Sequence, residues 1–213
     1  MKILALDTST SRVTVALIDN EILVREIVGG DLVGSQFHGE LLAGLIKDCL
    51  QSVRPDAIAV GCGPGPYTGL RVGIATAEVL AAAWEIPICG IPTLQALAHG
   101  HIRRGGNAGF AVLDVKRKEI AVQEFDGTAH LVGEPQLVHI DNFAAYESKN
   151  LVGPAFVTQT LIKPKVGDAS SVDAVDIALI AARYFAQGTV QSAQPLYLRA
   201  PDAANPKPSK SVL

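Results

Sequence analysis

Three short stretches decide the fold: Lys2-Ile3-Leu4-Ala5-Leu6-Asp7, Arg12-Val13-Thr14-Val15-Ala16-Leu17-Ile18-Asp19 and Ile22-Leu23-Val24-Arg25-Glu26-Ile27-Val28. The first is almost wholly apolar and reads as a short buried strand. The second sets Val13, Val15 and Leu17 against Arg12, Thr14 and Ala16, the two-residue period of a half-buried strand. The third reads as another strand, and only Asn20-Glu21 stands between it and the second. Three strands joined by short turns predict an antiparallel meander.

Downstream the period changes. Phe37, Leu41, Leu42, Leu45, Ile46, Cys49, Leu50 and Val53 fall at helical spacing, with Ser35 as the expected N-cap. The turn Arg54-Pro55-Asp56 ends this helix, and residues 57–62 form a two-sided apolar strand. A Gly/Pro loop leads into a second helix over 69–84, then a strand over 86–91 and a helix opened by Pro92 that runs to about His99. The order β-β-β-α-β-α-β-α is the lobe plan of ribonuclease-H-like and actin-like proteins.

A second pass repeats the plan in shortened form. A strand over 110–114 ends in Asp114, as the first strand ends in Asp7. The turn Lys116-Arg117-Lys118 leads to strands over 120–125 and 131–140, a short helix over 141–148 and a strand over 150–153. A helix over 173–187 follows, with Asp173 as cap, Asp176 in its first turn and Gly188 as terminator. The expected fold is α/β, actin-like (ASKHA, ribonuclease-H-like) and two-lobed, with a degenerate second lobe. Residues 1–104 form the N-terminal lobe, 105–200 a smaller C-terminal lobe and 201–213 an extended tail. The joint between lobes is expected within 100–107.

Of the 213 residues, 48% are hydrophobic and 18% charged, enough apolar material for a core and too little charge for a disordered chain. The net charge is −3 and the pI about 5.9. A protein that grips nucleic acid by itself carries a basic surface, so contact with RNA is expected only through another subunit. Cys49, Cys62 and Cys89 are odd in number and lack metal-ligand spacing, which predicts reduced, buried thiols in a cytosol. The N-terminal apolar run stops at Asp7, and the run over 72–84 is interrupted by Thr76 and Glu78. Neither reads as a leader or a membrane span, so a cytoplasmic protein is expected.

The strongest local feature is Gly61-Cys62-Gly63-Pro64-Gly65-Pro66-Tyr67-Thr68-Gly69-Leu70-Arg71-Val72-Gly73, between a strand and a helix. It lacks the Gly-Lys-Ser/Thr of a P-loop, so it is either an anion-binding helix start or a rigid strand-to-helix turn. Inside that helix Gly69, Gly73, Ala77 and Ala81 recur every four residues. Such a stripe admits another backbone closely, either a partner's or that of the protein's own sheet. His99, His101, His130 and His139 carry no ligand spacing and read as surface or satisfied histidines, and no His-Glu-x-x-His motif is present.

The segment from Gly63 to Ala75 resembles the signature of the TsaB (YeaZ) family. So do Ile3-Leu4-Ala5-Leu6-Asp7-Thr8-Ser9-Thr10, His38, Gly90-Ile91-Pro92-Thr93-Leu94, Leu113-Asp114 with Glu119, and Pro195-Leu196-Tyr197-Leu198-Arg199. Pro66-Tyr67 replaces the Ser-Phe common there, and the segment around Lys116 is more basic. The resemblance implies a non-catalytic dimerisation subunit of the machinery that adds threonylcarbamoyl to the adenosine beside the tRNA anticodon. Its catalytic partner would be a longer actin-like paralogue, TsaD, with a TsaE-like ATPase as a third subunit and a homodimer when the chain is alone. TsaD holds a metal through a His-x-x-x-His pair; the matching positions here are Thr93 and Leu97, and a Leu side chain has no donor atom.

The partner interface is expected on the first two helices, at His38, Leu41, Leu42, Leu45, Gly69, Arg71, Gly73, Ile74 and Ala77. A vestigial nucleotide site is expected at Asp7, Ser9, Gly63, Gly65, Thr68 and Asp114, with Ser9 where actin-like ATPases place a glycine. No catalytic residue and no metal are assigned, and no cofactor is firm beyond weak ATP or ADP with magnesium at the partner interface. The alternative reading is an autonomous actin-like phosphotransferase that holds Mg-ATP between Asp7, Asp114 and the 63–68 loop.

Overall fold

The computed structural model describes residues 1–29, 38–146, 148–154 and 172–199. Strands β1 (Lys2–Asp7), β2 (Val13–Asp19) and β3 (Ile22–Gly29) form the expected meander. Asn20 and Glu21 both take positive φ, 49° and 64°, as a two-residue hairpin turn between right-twisted strands requires. Strand β4 (Ala57–Gly61) runs parallel to β1, and β5 (Ile88–Ile91) parallel to β4. The five-stranded order is β3-β2-β1-β4-β5, with α1 (His38–Leu50), α2 (Tyr67–Trp84) and α3 (Thr93–Arg103) in the connections. A second sheet holds β6 (Gly109–Asp114), β7 (Glu119–Phe125), β8 (Leu131–His139) and β9 (Leu151–Val152) in the order β8-β7-β6-β9. Its meander and its parallel strand repeat the first sheet and stop one strand short, so the actin-like plan occurs twice and is degenerate the second time.

Alternation along β1 and β4 builds two cores. Ile3, Ala5, Ala57 and Ala59 face α3 and the last helix, α4 (Ala174–Gln187). Leu4, Leu6, Ile58 and Val60 face α1 and α2. Large sheet residues thus meet the helix with small residues: Gly69, Gly73, Ala77 and Ala81 of α2 are all buried. Thr8 donates its hydroxyl to the Gly69 carbonyl at 2.7 Å, and a Cβ on Gly73 would stand 2.2 Å from that hydroxyl oxygen.

The packing crosses the expected lobe boundary. Residues up to 91 supply one sheet and residues from 109 the other. However, α3 lies against the second sheet, while α4, placed by chain order in the second lobe, lies against β1 and β2 of the first. The reason is the small-residue face of the first sheet, Ala5, Ala16, Ala57 and Ala59, which admits a helix closely.

Two neighbouring residues of β3 hold helix ends on opposite faces. Arg25 donates to the carbonyl of Cys49 in the last turn of α1, at 2.5 Å. Glu26 accepts the N–H of Val175 in the first turn of α4, at 3.0 Å. Each charge meets the helix pole of opposite sign. Asp173 sits at the N-cap position of α4 but makes no capping bond; its carboxylate takes Arg104 at 3.0 Å.

Other boundaries shift for local reasons. Helix α2 starts two residues early, because Pro66 has the fixed φ that opens a helix. Helix α3 continues to Arg103, which narrows the joint between sheets to 104–108. The short helix after β8 is a 3-10 helix, Ile140–Tyr146. The Ser35 cap, Phe37 and the tail from 200 lie outside the described residues.

Gly73→Ala should lower stability by roughly 1–3 kcal/mol in denaturant unfolding, because the methyl group displaces the Thr8 hydroxyl from Gly69. That clash outweighs the gain of about 1 kcal/mol in helix propensity. Adding Thr8→Ala should recover part of the loss; a neutral Gly73→Ala would show that α2 is not seated on Thr8.

Candidate functional site

The loop ends at the carboxyl edges of β1 and β4 converge on Asp7, which is completely buried. The Ser9 hydroxyl lies 2.7 and 2.8 Å from its two oxygens, and the Ser9 N–H is bonded to one of them. The Thr93 hydroxyl donates to Asp7 at 3.0 Å and accepts the Gly63 N–H at 3.0 Å. Gly61 passes so close that a Cβ there would overlap the carboxylate. Gly65 lies against the Ser9 backbone. Burial pushes the Asp7 carboxyl above its usual range, against the lowering effect of the Ser9 and Thr93 bonds. A hard cation needs an ionised carboxylate it can reach, and Asp7 is turned into its own protein. Thr68 is exposed. Asp114 ends β6 on the other sheet, where its oxygens take the backbone N–H and the ammonium of Lys116 at 2.7 and 2.8 Å. The six residues expected to bind a nucleotide therefore do not build a pocket for magnesium and phosphate around Asp7. Thr93 is spent on Asp7, and Leu97 is fully buried in the core between the sheets.

The helices expected at a partner interface present a different face from the one the sequence suggests. Leu42, Leu45, Gly69, Gly73, Ile74 and Ala77 are buried in this chain's own core, and Leu41 is packed against it. Arg71 is exposed. The side chain of His38 lies outside the described residues. What faces outward on α2 is Ala75, Val79, Ala82 and Ala83, with Val79 66% exposed. On α1 it is Gly39, Ala43 and Gly44, where a Cβ on either glycine would meet nothing. The two helices touch, and these small residues share the exposed sides of α1 and α2 with Glu40, Lys47, Asp48, Arg71 and Glu78.

Two clusters have no signal in local sequence. Asp176 of α4, 1% exposed, is bonded by His99 at 2.7 Å and by Arg103 at 2.8 and 3.1 Å, which clamps α4 to α3. Burial raises its carboxyl, but the bonds from His99 and Arg103 prevail and hold it below the ordinary 3.8. At the start of α2, Tyr67 stacks with Tyr197, ring centroids 5.4 Å apart. The Arg71 guanidinium lies 4.1 Å from the Tyr67 ring centre and donates to the Tyr197 hydroxyl at 2.8 Å. The three cysteines are free and buried, with burial pushing Cys49 to about 11 and Cys62 to about 12. No helix among the described residues is long and apolar enough to cross a membrane.

The family model described as TsaD, tRNA N6-adenosine threonylcarbamoyltransferase, matches residues 33–146, more than half of the chain. The tRNA threonylcarbamoyladenosine biosynthesis protein TsaB of Escherichia coli K12 is 29% identical over 93% of this chain and 95% of its own length. The chain belongs to the TsaB (YeaZ) branch of this family. The TsaB protein of Bacillus subtilis is 32% identical over 46% of this chain and 44% of its own. The structure of YeaZ from Pseudomonas aeruginosa superposes with a TM-score of 0.74 at 26% identity, over 92% of this chain and all of that one. This TsaB-family chain therefore has the actin-like fold expected from its meander.

Because the Asp176 carboxyl is lowered, the stability it contributes is present above about pH 4 and is lost as pH falls through its folded value. Asp176→Asn should cost about 3 kcal/mol at neutral pH and flatten the acid limb of the stability profile. An unchanged acid limb in that variant would refute the clamp.

Proposed function

We propose that this chain is a non-catalytic subunit in tRNA threonylcarbamoyladenosine biosynthesis, which pairs with a TsaD-like catalytic paralogue through the outward face of α1 and α2. The observation that carries the reading is the contrast between two places. Asp7 is sealed by Ser9 and Thr93, while Gly39, Ala43 and Gly44 of α1 and Ala75 and Val79 of α2, two helices in contact, are all exposed. Small residues let a second helix pair approach to close packing distance, and an interface of standard size buries roughly 1,600 Å². The names carried by the relatives, TsaB proteins of threonylcarbamoyladenosine biosynthesis, give the pathway. In the absence of the paralogue the same face supports a homodimer. A TsaE-like ATPase joins as a third subunit, and weakly held ATP or ADP with magnesium belongs at the partner interface rather than at Asp7. The protein works in the cytoplasm, where its tRNA substrate is.

Reconstitution tests this directly: tRNA modification by a TsaD-like subunit and a TsaE-like ATPase should require the chain. Ala75→Arg and Val79→Glu should leave the melting temperature within about 2 °C, as surface changes do. Each should weaken pairing at least tenfold, about 1.4 kcal/mol. Wild-type affinity in both variants would remove this face from the interface.

A further inference from the structure

The Tyr67–Tyr197 stack continues into a cationic surface that the pairing reading leaves unused. Two residues after Tyr197, Arg199 makes an ion pair with Glu119 at the start of β7. The tail therefore carries the tyrosine stack to the β6–β7 turn, where Lys116, Arg117 and Lys118 are all exposed. Along this path five cations, Arg71, Lys116, Arg117, Lys118 and Arg199, stand beside three carboxylates, Asp114, Glu119 and the exposed Asp141 that follows Ile140 against Lys118. The excess is positive, in a chain whose net charge is −3. The aromatic rings are open as well: Tyr67 is 48% and Tyr197 38% exposed. Arg71 sits at the start of α2, so the surface adjoins the rim of the face proposed for pairing.

We propose that this surface, formed by Tyr67, Arg71, Tyr197 and the Lys116–Lys118 turn, contacts RNA, and that within the complex the chain itself grips part of the tRNA. The inference rests on the pathway reading for the identity of the RNA. Its chemistry rests on the patch. Exposed tyrosine rings offer faces on which bases stack, and lysine and arginine at the same edge neutralise phosphates. An acidic partner protein would use the cations and leave the stacked rings without a role. The overall pI sums over the whole chain and misses a local excess, so a chain-wide charge count argues against RNA where a local one argues for it.

The test uses the full chain in complex with its TsaD-like partner and an unmodified tRNA transcript. Lys116→Asn with Lys118→Asn removes two charges while keeping side chains that tolerate the positive φ of 68° and 61° at these positions. Complex formation, followed by size-exclusion chromatography, should be unchanged. The tRNA affinity should fall about tenfold near 0.1 M salt, and the slope of log K against log salt should shrink by about one to two. Tyr197→Ala should weaken binding by about fivefold or more with little change in slope. Arg183→Gln, on the exposed side of α4, serves as the charge control and should change neither quantity. Ultraviolet cross-linking should place RNA on peptides that contain Tyr67 or Tyr197. Unchanged affinity and slope in the double variant would overturn the proposal. So would loss of a protein partner with tRNA binding intact. If the wild-type chain fails to pair, the pairing reading fails in the chromatographic arm. The RNA arms are then read on the chain alone, with the same losses expected and the same result overturning them.

Discussion

The bond from Thr93 to Asp7 sets the character of this molecule. It joins the end of β1 to the start of α3, and through the Gly63 N–H it also fixes the loop that follows β4. Ser9 completes the closure by returning its hydroxyl to the same carboxylate. In this arrangement the acid is an internal brace, satisfied by donors from two chain segments, at Ser9 and Thr93, and removed from solvent. Those bonds occupy its oxygens and favour the carboxylate, while burial, the larger effect, pushes its pKa up. Structural closure and the removal of Asp7 from solvent are one physical fact.

The rest of the layer order follows from the residue sizes next to that brace. With Leu4, Leu6, Ile58 and Val60 projecting from one sheet face, the helix seated there must be narrow, and the Gly69-Gly73-Ala77-Ala81 stripe makes α2 so. The opposite face carries Ala5, Ala16 and Ala59, so it can accept α4 from far along the chain. Arg25 and Glu26 then serve both layers at once, one at the negative end of α1 and the other at the positive end of α4. The outward side of α1 and α2 is what remains, a surface of small residues that no element among the described residues covers.

The strands were legible because their information is local. Alternation in 13–17, the short Asn20-Glu21 link and the apolar runs at 3–6 and 57–61 each need only a few neighbours to read. The helix faces were not, because α2 has small residues on two sides. Gly69, Gly73, Ala77 and Ala81 share one side and Ala75, Ala82 and Ala83 another, and periodicity alone does not say which meets the sheet. The contact of Thr8 with Gly69, 61 positions apart, decides it. The same limit hid the cap of α4. Asp173 is the right residue in the right place, but Arg104 claims it, and Glu26, 149 positions from Val175, takes the N–H instead. His99 with Asp176 and Arg71 with Tyr197 are pairs of the same kind, ordinary residues whose meaning comes only from what folding places beside them.

The C-terminal segment connects these separate arguments. Gln191 accepts the Gly90 N–H at the free edge of β5, and Leu196 donates to the Cys62 carbonyl beside the Asp7 brace. Tyr197 then stacks at the start of α2, and Arg199 reaches Glu119 on the second sheet. One run of nine residues therefore covers a sheet edge that would otherwise invite another strand, and it ties the first sheet to the second. Each fastening is weak alone, since exposed ion pairs and exposed ring stacks contribute at most about 1 kcal/mol. They act in series on a segment whose backbone is already bonded at two points, so the entropy of ordering is shared among them. The start of α2 and the β6–β7 turn are thereby held in one fixed relation, at a set distance and orientation.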